Sequence, residues 1–146
     1  MLGWLYRWAD GVRDRARRRA GNAEHALGAR GEDLAHRYLQ REGLTVVARN
    51  WRREEGSVEL DLVAWDGTRE TGALVVVEVK SRATEEFGAP DRAIGEEKIA
   101  SLRRAAYSYA RRAGVPRERL RFDVVNVVFE TPVRITHFRD VFAVEG

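Results

Sequence analysis

The sequence predicts an α/β fold in which helices pack on a central mixed β-sheet. Two observations carry this: two stretches whose apolar residues return every three or four positions, and runs between and after them that alternate or are unbrokenly aliphatic, as strands do. Their order is helix, three strands, helix, then one or two strands. A chain of 146 residues is long enough to bury one core without covalent staples.

Leu27, Gly31, Leu34, Ala35, Tyr38 and Leu39 follow the 3.6-residue period, and Gly43 is a stop, so a helix is expected over about 28–42. The stretch LTVVARNW then reads as a first strand. After the charged turn RREEG, residues 57–65 alternate, with Val58, Leu60, Leu62 and Ala64 on one face and Ser57, Glu59, Asp61 and Val63 on the other. Asp66 and Gly67 turn the chain. The third strand, LVVVEVKSR, opens with an unbroken run from Leu74 to Val77, which implies burial on both faces and a central position. A Gly- and Pro-bearing loop follows. Ile99, Leu102, Ala106, Tyr109 and Ala113 define a second amphipathic helix that Gly114 and Pro116 end. RLRFDVVNVVFE reads as a fourth strand and VRITHF as a fifth at an edge.

Residues 1–27 read as a basic amphipathic extension to a domain spanning 28–146. Trp4, Leu5, Trp8 and Val12 recur at helical spacing, and Arg13, Arg15, Arg17, Arg18 and Arg19 follow. The basic block comes after the apolar part, the reverse of a secretory signal. Three readings remain open here: a solvated helix with one packed face, a basic arm for nucleic acid, and a helix lying on an anionic membrane surface.

Composition narrows the chemistry. With no cysteine there is no disulfide, thiolate-held metal or thiol nucleophile, which fits a cytoplasmic setting. No apolar run approaches the roughly 20 residues of a membrane-spanning helix. The net charge is +3, and 24 of the 26 basic residues are Arg; Lys occurs only at 80 and 98. Where Arg is the default, a retained Lys marks a place for a compact point charge with a tunable pKa.

Glu59 and Asp61 share a face of the second strand, and Glu78 and Lys80 share a face at the end of the third. If those strands neighbour each other, three carboxylates and one ammonium converge. Like charges in a partly dehydrated site must take up protons or recruit a cation. A hard divalent ion, Mg²⁺ or Mn²⁺, suits an all-oxygen set, and a lysine beside it could orient or help deprotonate a water, which together describe phosphodiester hydrolysis. A lone acidic-x-Lys triplet is weak, since Glu96, Glu97 and Lys98 form another on a helix. The combination with a two-sided apolar strand, and with 16 residues between Asp61 and Glu78, is what carries weight.

The ordered run GARGEDLAHRYLQREGLTVVARNWR, GSVELDLVAWD, LVVVEVKSR, FGAP, AIGEEKIASLRRAAYSYA and RFDVVNVVF resembles the YraN-like (UPF0102) family of small bacterial proteins, over roughly residues 28–130. That family is grouped with the restriction-endonuclease-like nucleases of the PD-(D/E)xK superfamily. The resemblance implies a restriction-endonuclease-like core, with Asp61 and Glu78 as metal ligands, Lys80 as the catalytic lysine and Glu59 as a supporting acid. It also implies a metal-reaching role for Glu32 on the first helix, where a first-turn acid favoured by the helix dipole is the competing reading. The family's GEIDL appears here as GSVELDL, which displaces Gly56 from Glu59 by two residues. Lys98 matches a family position and could point a charge at substrate phosphate, stabilise the site from the second helix, or stand as a solvated helix residue.

Arg103, Arg104, Arg111 and Arg112 lie off the apolar stripe of the second helix and, with Arg49, Arg52 and Arg53, are candidates for sequence-independent contact with nucleic-acid phosphates. DNA, including branched DNA, is the expected partner. Asp123, between Phe122 and Val124, is expected to be a structural partner; His25, His36 and His137 have no shared ligand spacing and are expected at surfaces or caps. The expectation is a metal-dependent endonuclease. The alternative is a non-catalytic nucleic-acid-binding or interaction module on the same fold.

Overall fold

A computed structural model describes residues 15–85 and 94–142. The stripe of Trp4, Leu5, Trp8 and Val12, and the expectations for it, lie outside the described residues. Helix α1 runs Arg15–Arg41, and strands β1 (Thr45–Arg52), β2 (Glu59–Asp66) and β3 (Ala73–Arg82) follow. Helix α2 (Glu96–Ala113), a short 3₁₀ turn, β4 (Leu120–Val128) and β5 (Arg134–Phe138) complete the order. The first helix starts well before residue 28. Its apolar period marks only the part that meets the sheet, while residues 22–26 are exposed and are carried by the helix propensity of Ala23, Glu24 and Ala26.

The sheet has the order β1-β2-β3-β4-β5. The first three strands meander antiparallel, β3 and β4 pair in parallel across α2, and β5 closes the far edge antiparallel. β3 is central, as its unbroken apolar run implied. Its alternate residues serve two cores. Val75 and Val77 join Leu62, Ala64, Val125 and Val127 beneath Ala35 and Leu39 of α1. Leu74 and Val76 join Val63, Trp65 and Phe122 beneath Leu102, Ala105, Ala106 and Ala110 of α2. A mixed sheet with a helix on each face is compatible with a restriction-endonuclease-like core.

Two glycines set helix geometry. Gly114 at φ 71° caps α2 in the left-handed region, and the Gly114 and Val115 amides donate to Arg111 O and Ala110 O. Gly31 lets α1 approach β3: a Cβ there would overlap the Ser81 hydroxyl. That contact fixes the height of the next residue, Glu32, above the sheet.

Asp123 is the structural partner expected of it, but His137 is not a surface residue. The His137 side chain is 3% exposed, and its Nε2 lies 2.7 Å from Asp123 Oδ2, with Nδ1 3.3 Å from the Tyr38 hydroxyl. Pairing of β4 with β5 brings His137 opposite Val125, two residues along β4 from Asp123 and on the same face, a proximity that sequence spacing does not reveal. Arg121 grips Asp123 with Nε and Nη2, both at 2.9 Å, and extends Nη1 to Asp66 at 2.7 Å. Burial alone would raise the Asp123 carboxyl; His137, Arg121 and the Asp140 amide override it and hold the pKa at about 2.

A depressed carboxylate stabilises the fold fully above its unfolded pKa and loses that contribution as pH falls towards the folded value. The network should therefore contribute on the order of 2 kcal/mol above pH about 4 that disappears as pH falls towards 2. Urea denaturation at pH 6 and pH 2.5 should show that loss, and Asp123→Asn should show a smaller one; equal acid losses in both proteins would refute the assignment. Gly31→Ala should cost about 1–3 kcal/mol by overpacking α1 on β3, with partial rescue by Ser81→Gly. Unchanged thermal stability in Gly31→Ala would sink the close-approach argument.

Candidate metal and catalytic centre

β2 and β3 pair only as far as Leu62 and Val77. Beyond that point Glu59–Asp61 remain bonded to β1 alone, and Glu78–Arg82 remain bonded to β4 alone. The sheet therefore opens at its middle. Asp61 turns its carboxylate into the opening, where Oδ2 accepts the Val79 N–H at 2.9 Å, so a side chain replaces the missing strand partner.

The strict alternation expected for residues 57–65 fails at this end. Leu62 and Ala64 face α1, as expected of that set, but Leu60 packs with the α2-side core. Its neighbour across the ladder is Trp51, which stacks edge-on against Tyr109 of α2 at 5.2 Å. Two residues earlier, Arg49 reaches α1 instead, where Nη1 lies 2.9 Å from Asp33. The switch of face occurs at Asn50, whose φ is 51°. One left-handed residue in β1 thus rotates the end of the β1–β2 ribbon and carries Glu59 towards α1.

Glu32, Glu59 and Asp61 consequently each present an oxygen within 4.8 Å of the other two. Glu78 approaches from the α2 side of the opening and is 6% exposed. It couples electrostatically to both Asp61 and Glu32, and Lys98 Nζ lies 3.6 Å from its Oε1. Lys80 shares its face, has no exposed surface, and its charge opposes the rise of the Glu78 pKa. Both lysines of the chain therefore converge on one carboxylate. Lys98 reaches the centre from α2 through this ion pair, with its side chain 26% exposed.

Burial raises the Asp61 carboxyl well above the usual carboxylate range, Glu78 and Glu32 add to this, and the Val79 amide and Lys98 oppose it. Glu78 is raised by burial against Lys98, the Asp61 hydrogen bond and Lys80. Glu32 is raised by burial, Arg49 opposes, and Glu59 and Glu78 reinforce it. Three carboxyls displaced upward together mark a site short of positive charge. A hard divalent ion fits that deficit. Oxygens around an octahedral Mg²⁺ stand about 3–4 Å apart, so the three-residue cluster needs only slight contraction. An independent sign is Glu78 Oε2, a buried acceptor with no hydrogen-bond partner.

Asn50 is the residue that the sequence reading missed. With its amide nitrogen towards the carboxylates it donates to Glu32 Oε1 and Glu59 Oε1, each at 2.7 Å. The available signal was an Asn within a strand, since Asn is among the few residues that tolerate the left-handed region. Arg52 is held by Glu59 Oε2, with Nε at 3.1 Å and Nη2 at 3.0 Å, and by Ser57 O at 3.0 Å. Arg53 bonds Glu54 at 3.0 Å and Arg104 bonds Ser101 at 3.2 Å, on the walls of one open cleft of about 380 Å³ between the β1–β2 turn and α2. Arg103 stacks its guanidinium over Phe142 at 5.4 Å. The cleft adjoins the turn leading into Glu59 but contains none of the clustered carboxylates.

Residues 31–127 match a family described as "Uncharacterised protein family UPF0102". A "UPF0102 protein" of Solibacter usitatus is 48% identical over 97% of this chain and 100% of its own length. One from Beutenbergia cavernae is 46% identical over 82% of this chain and 98% of its own, and one from Rhodococcus jostii is 42% identical over 80% and 96%. Among the described residues no helix is long and apolar enough to cross a membrane.

Replacing Asp61 with Asn keeps an acceptor for the Val79 amide and removes a buried like charge. Asp61→Asn should therefore raise the melting temperature in chelator while abolishing the further rise that Mn²⁺ gives the wild type. Calorimetric scans with and without Mn²⁺ test this; a variant that melts lower than wild type in chelator contradicts the charge deficit.

Proposed function

The chain belongs to the uncharacterised protein family UPF0102, and from its carboxylate–lysine centre we propose that it is a Mg²⁺- or Mn²⁺-dependent endonuclease acting on nucleic acid in the cytoplasm. The observation that carries this reading is the meeting of Asp61, Glu78 and fully buried Lys80 where β2 and β3 part. A desolvated ammonium beside carboxylates suits a water-handling site, because taking an ionic group out of water costs several kcal/mol and structural needs alone are met at lower cost by an apolar side chain. The resemblance to PD-(D/E)xK nucleases supports the same roles.

In this reading Asp61 and Glu78 bind the cation, with Glu32 and Glu59 closing the cluster. The bound cation would lower the pKa of water and neutralise charge developing on a phosphodiester oxygen. Lys80, held rigid by the sheet, orients the attacking water and supplies positive charge beside Glu78. Lys98 balances Glu78 from α2. Arg53 and Arg104 line a cleft into which a phosphate backbone can lead, and contacts of this kind give sequence-independent, salt-sensitive binding. DNA, with branched forms first among its structures, is the proposed substrate.

Purified protein incubated with branched, duplex and single-stranded DNA and with RNA, in Mn²⁺ or Mg²⁺, should cleave at least one. Lys80→Met, which keeps the buried volume without the charge, and Asp61→Ala should each lower cleavage about 100-fold or more. Metal-independent binding without cleavage, unchanged by either substitution, would instead assign a non-catalytic nucleic-acid-binding module.

A further inference from the structure

The Asn50 amide lies between two carboxylates that belong to different elements. One terminal atom sits 2.7 Å from Glu32 Oε1 on α1 and 2.7 Å from Glu59 Oε1 on β2. As nitrogen, that atom donates to both. As oxygen, it would bring three oxygens face to face, an arrangement that needs a cation or a carboxyl proton between them.

We propose that Asn50 is a further ligand of the acidic centre: its amide nitrogen bridges Glu32 and Glu59 in the metal-free protein, and its amide oxygen turns to a divalent cation when one enters. The inference rests on the metal reading above and adds to it a residue and a state change. The terminal torsion of Asn is broad and nearly two-fold, so exchanging nitrogen for oxygen needs no change of backbone or χ1. An amide carries an NH2 donor and a carbonyl acceptor on one planar group, so a half-turn exchanges one for the other at the same point.

The backbone supports the choice of residue. At φ 51° glycine would be the least strained occupant, yet glycine offers the cluster nothing. Asp would tolerate the conformation but set a further carboxylate 2.7 Å from both Glu32 and Glu59, in a cluster where Asp61 already stands within 4.8 Å of them. An amide meets both constraints. Glu78 Oε2, buried and without a hydrogen-bond partner, is the second indication that a cation completes the set.

The test uses the full chain, Mn²⁺ as the probe, and two variants read by calorimetric Mn²⁺ titration and by melting temperature in chelator and in saturating Mn²⁺. Asn50→Gly keeps the left-handed residue and removes the amide; it should weaken Mn²⁺ binding about 10-fold or more. Asn50→Asp should melt lower than wild type in chelator and show a larger rise with Mn²⁺, because the added carboxylate repels its neighbours until a cation arrives. Wild-type Mn²⁺ affinity in Asn50→Gly overturns the inference and leaves the metal reading standing. A melting temperature of Asn50→Asp in chelator equal to wild type overturns the metal-free bridge. Failure of wild-type protein to bind Mn²⁺ overturns the metal reading itself, and this ligand with it.

Discussion

The parting of β2 from β3 beyond Leu62 and Val77 is the constraint on which the rest of the centre depends. A continuous sheet separates its two faces, so a residue beneath α1 cannot meet one beneath α2. Where two neighbouring strands each keep only their outer partner, the separation ends, and Glu32 from one side reaches the field of Glu78 from the other. The opening leaves ladder groups to be satisfied, and Asp61 satisfies one by accepting the Val79 amide. The same bond that repairs the backbone fixes the orientation of a carboxylate. Stability and site geometry are therefore one problem here.

Much of this was legible in the sequence because it follows from short periods. The central place of β3 follows from Leu74–Val77, the shared face of Glu78 and Lys80 from period two, and α2 from its apolar stripe. What was not legible depends on single dihedrals and on pairings distant in sequence. The Asn in VARNW permits a left-handed residue, but the string does not announce that Asn50 takes φ 51° and reverses the faces of Arg49 and Trp51, and with them that of Leu60. His137 lacked a ligand-like neighbour in sequence, yet strand pairing sets it against Asp123. The early start of α1 was missed because an exposed helical segment need have no apolar period at all.

Charge type divides the structure more sharply than charge count. The two lysines lie at the centre beside Glu78, where a compact ammonium is wanted. Arginines occupy positions suited to a flat cation: Arg30 over Phe129 at 4.7 Å, Arg117 over Tyr107 at 4.1 Å, Arg119 over Trp65 at 5.1 Å, Arg112 over Trp51 at 5.4 Å. A sequence that looks uniformly Arg-rich thus places several planar cations against aromatic rings, pairs others with acids such as Asp123 and Glu59, and sets both of its spherical ones beside Glu78. The bias seen in composition acquires a spatial meaning once the side chains are placed.

The irregularity of β1 has one more effect, on how molecules of this chain meet each other. β1 is an edge strand, and a flat edge is a template for pairing with another copy. Its register slips between Val46 and Ala48, and Asn50 then turns the backbone out of line before Arg52 ends the strand. A second chain laid along this edge would find its ladder broken twice within a few residues and flanked by guanidinium groups. The kink that carries Glu59 to Glu32 therefore also blunts an aggregation-prone border, so one residue shapes both the acidic centre and the exposed edge.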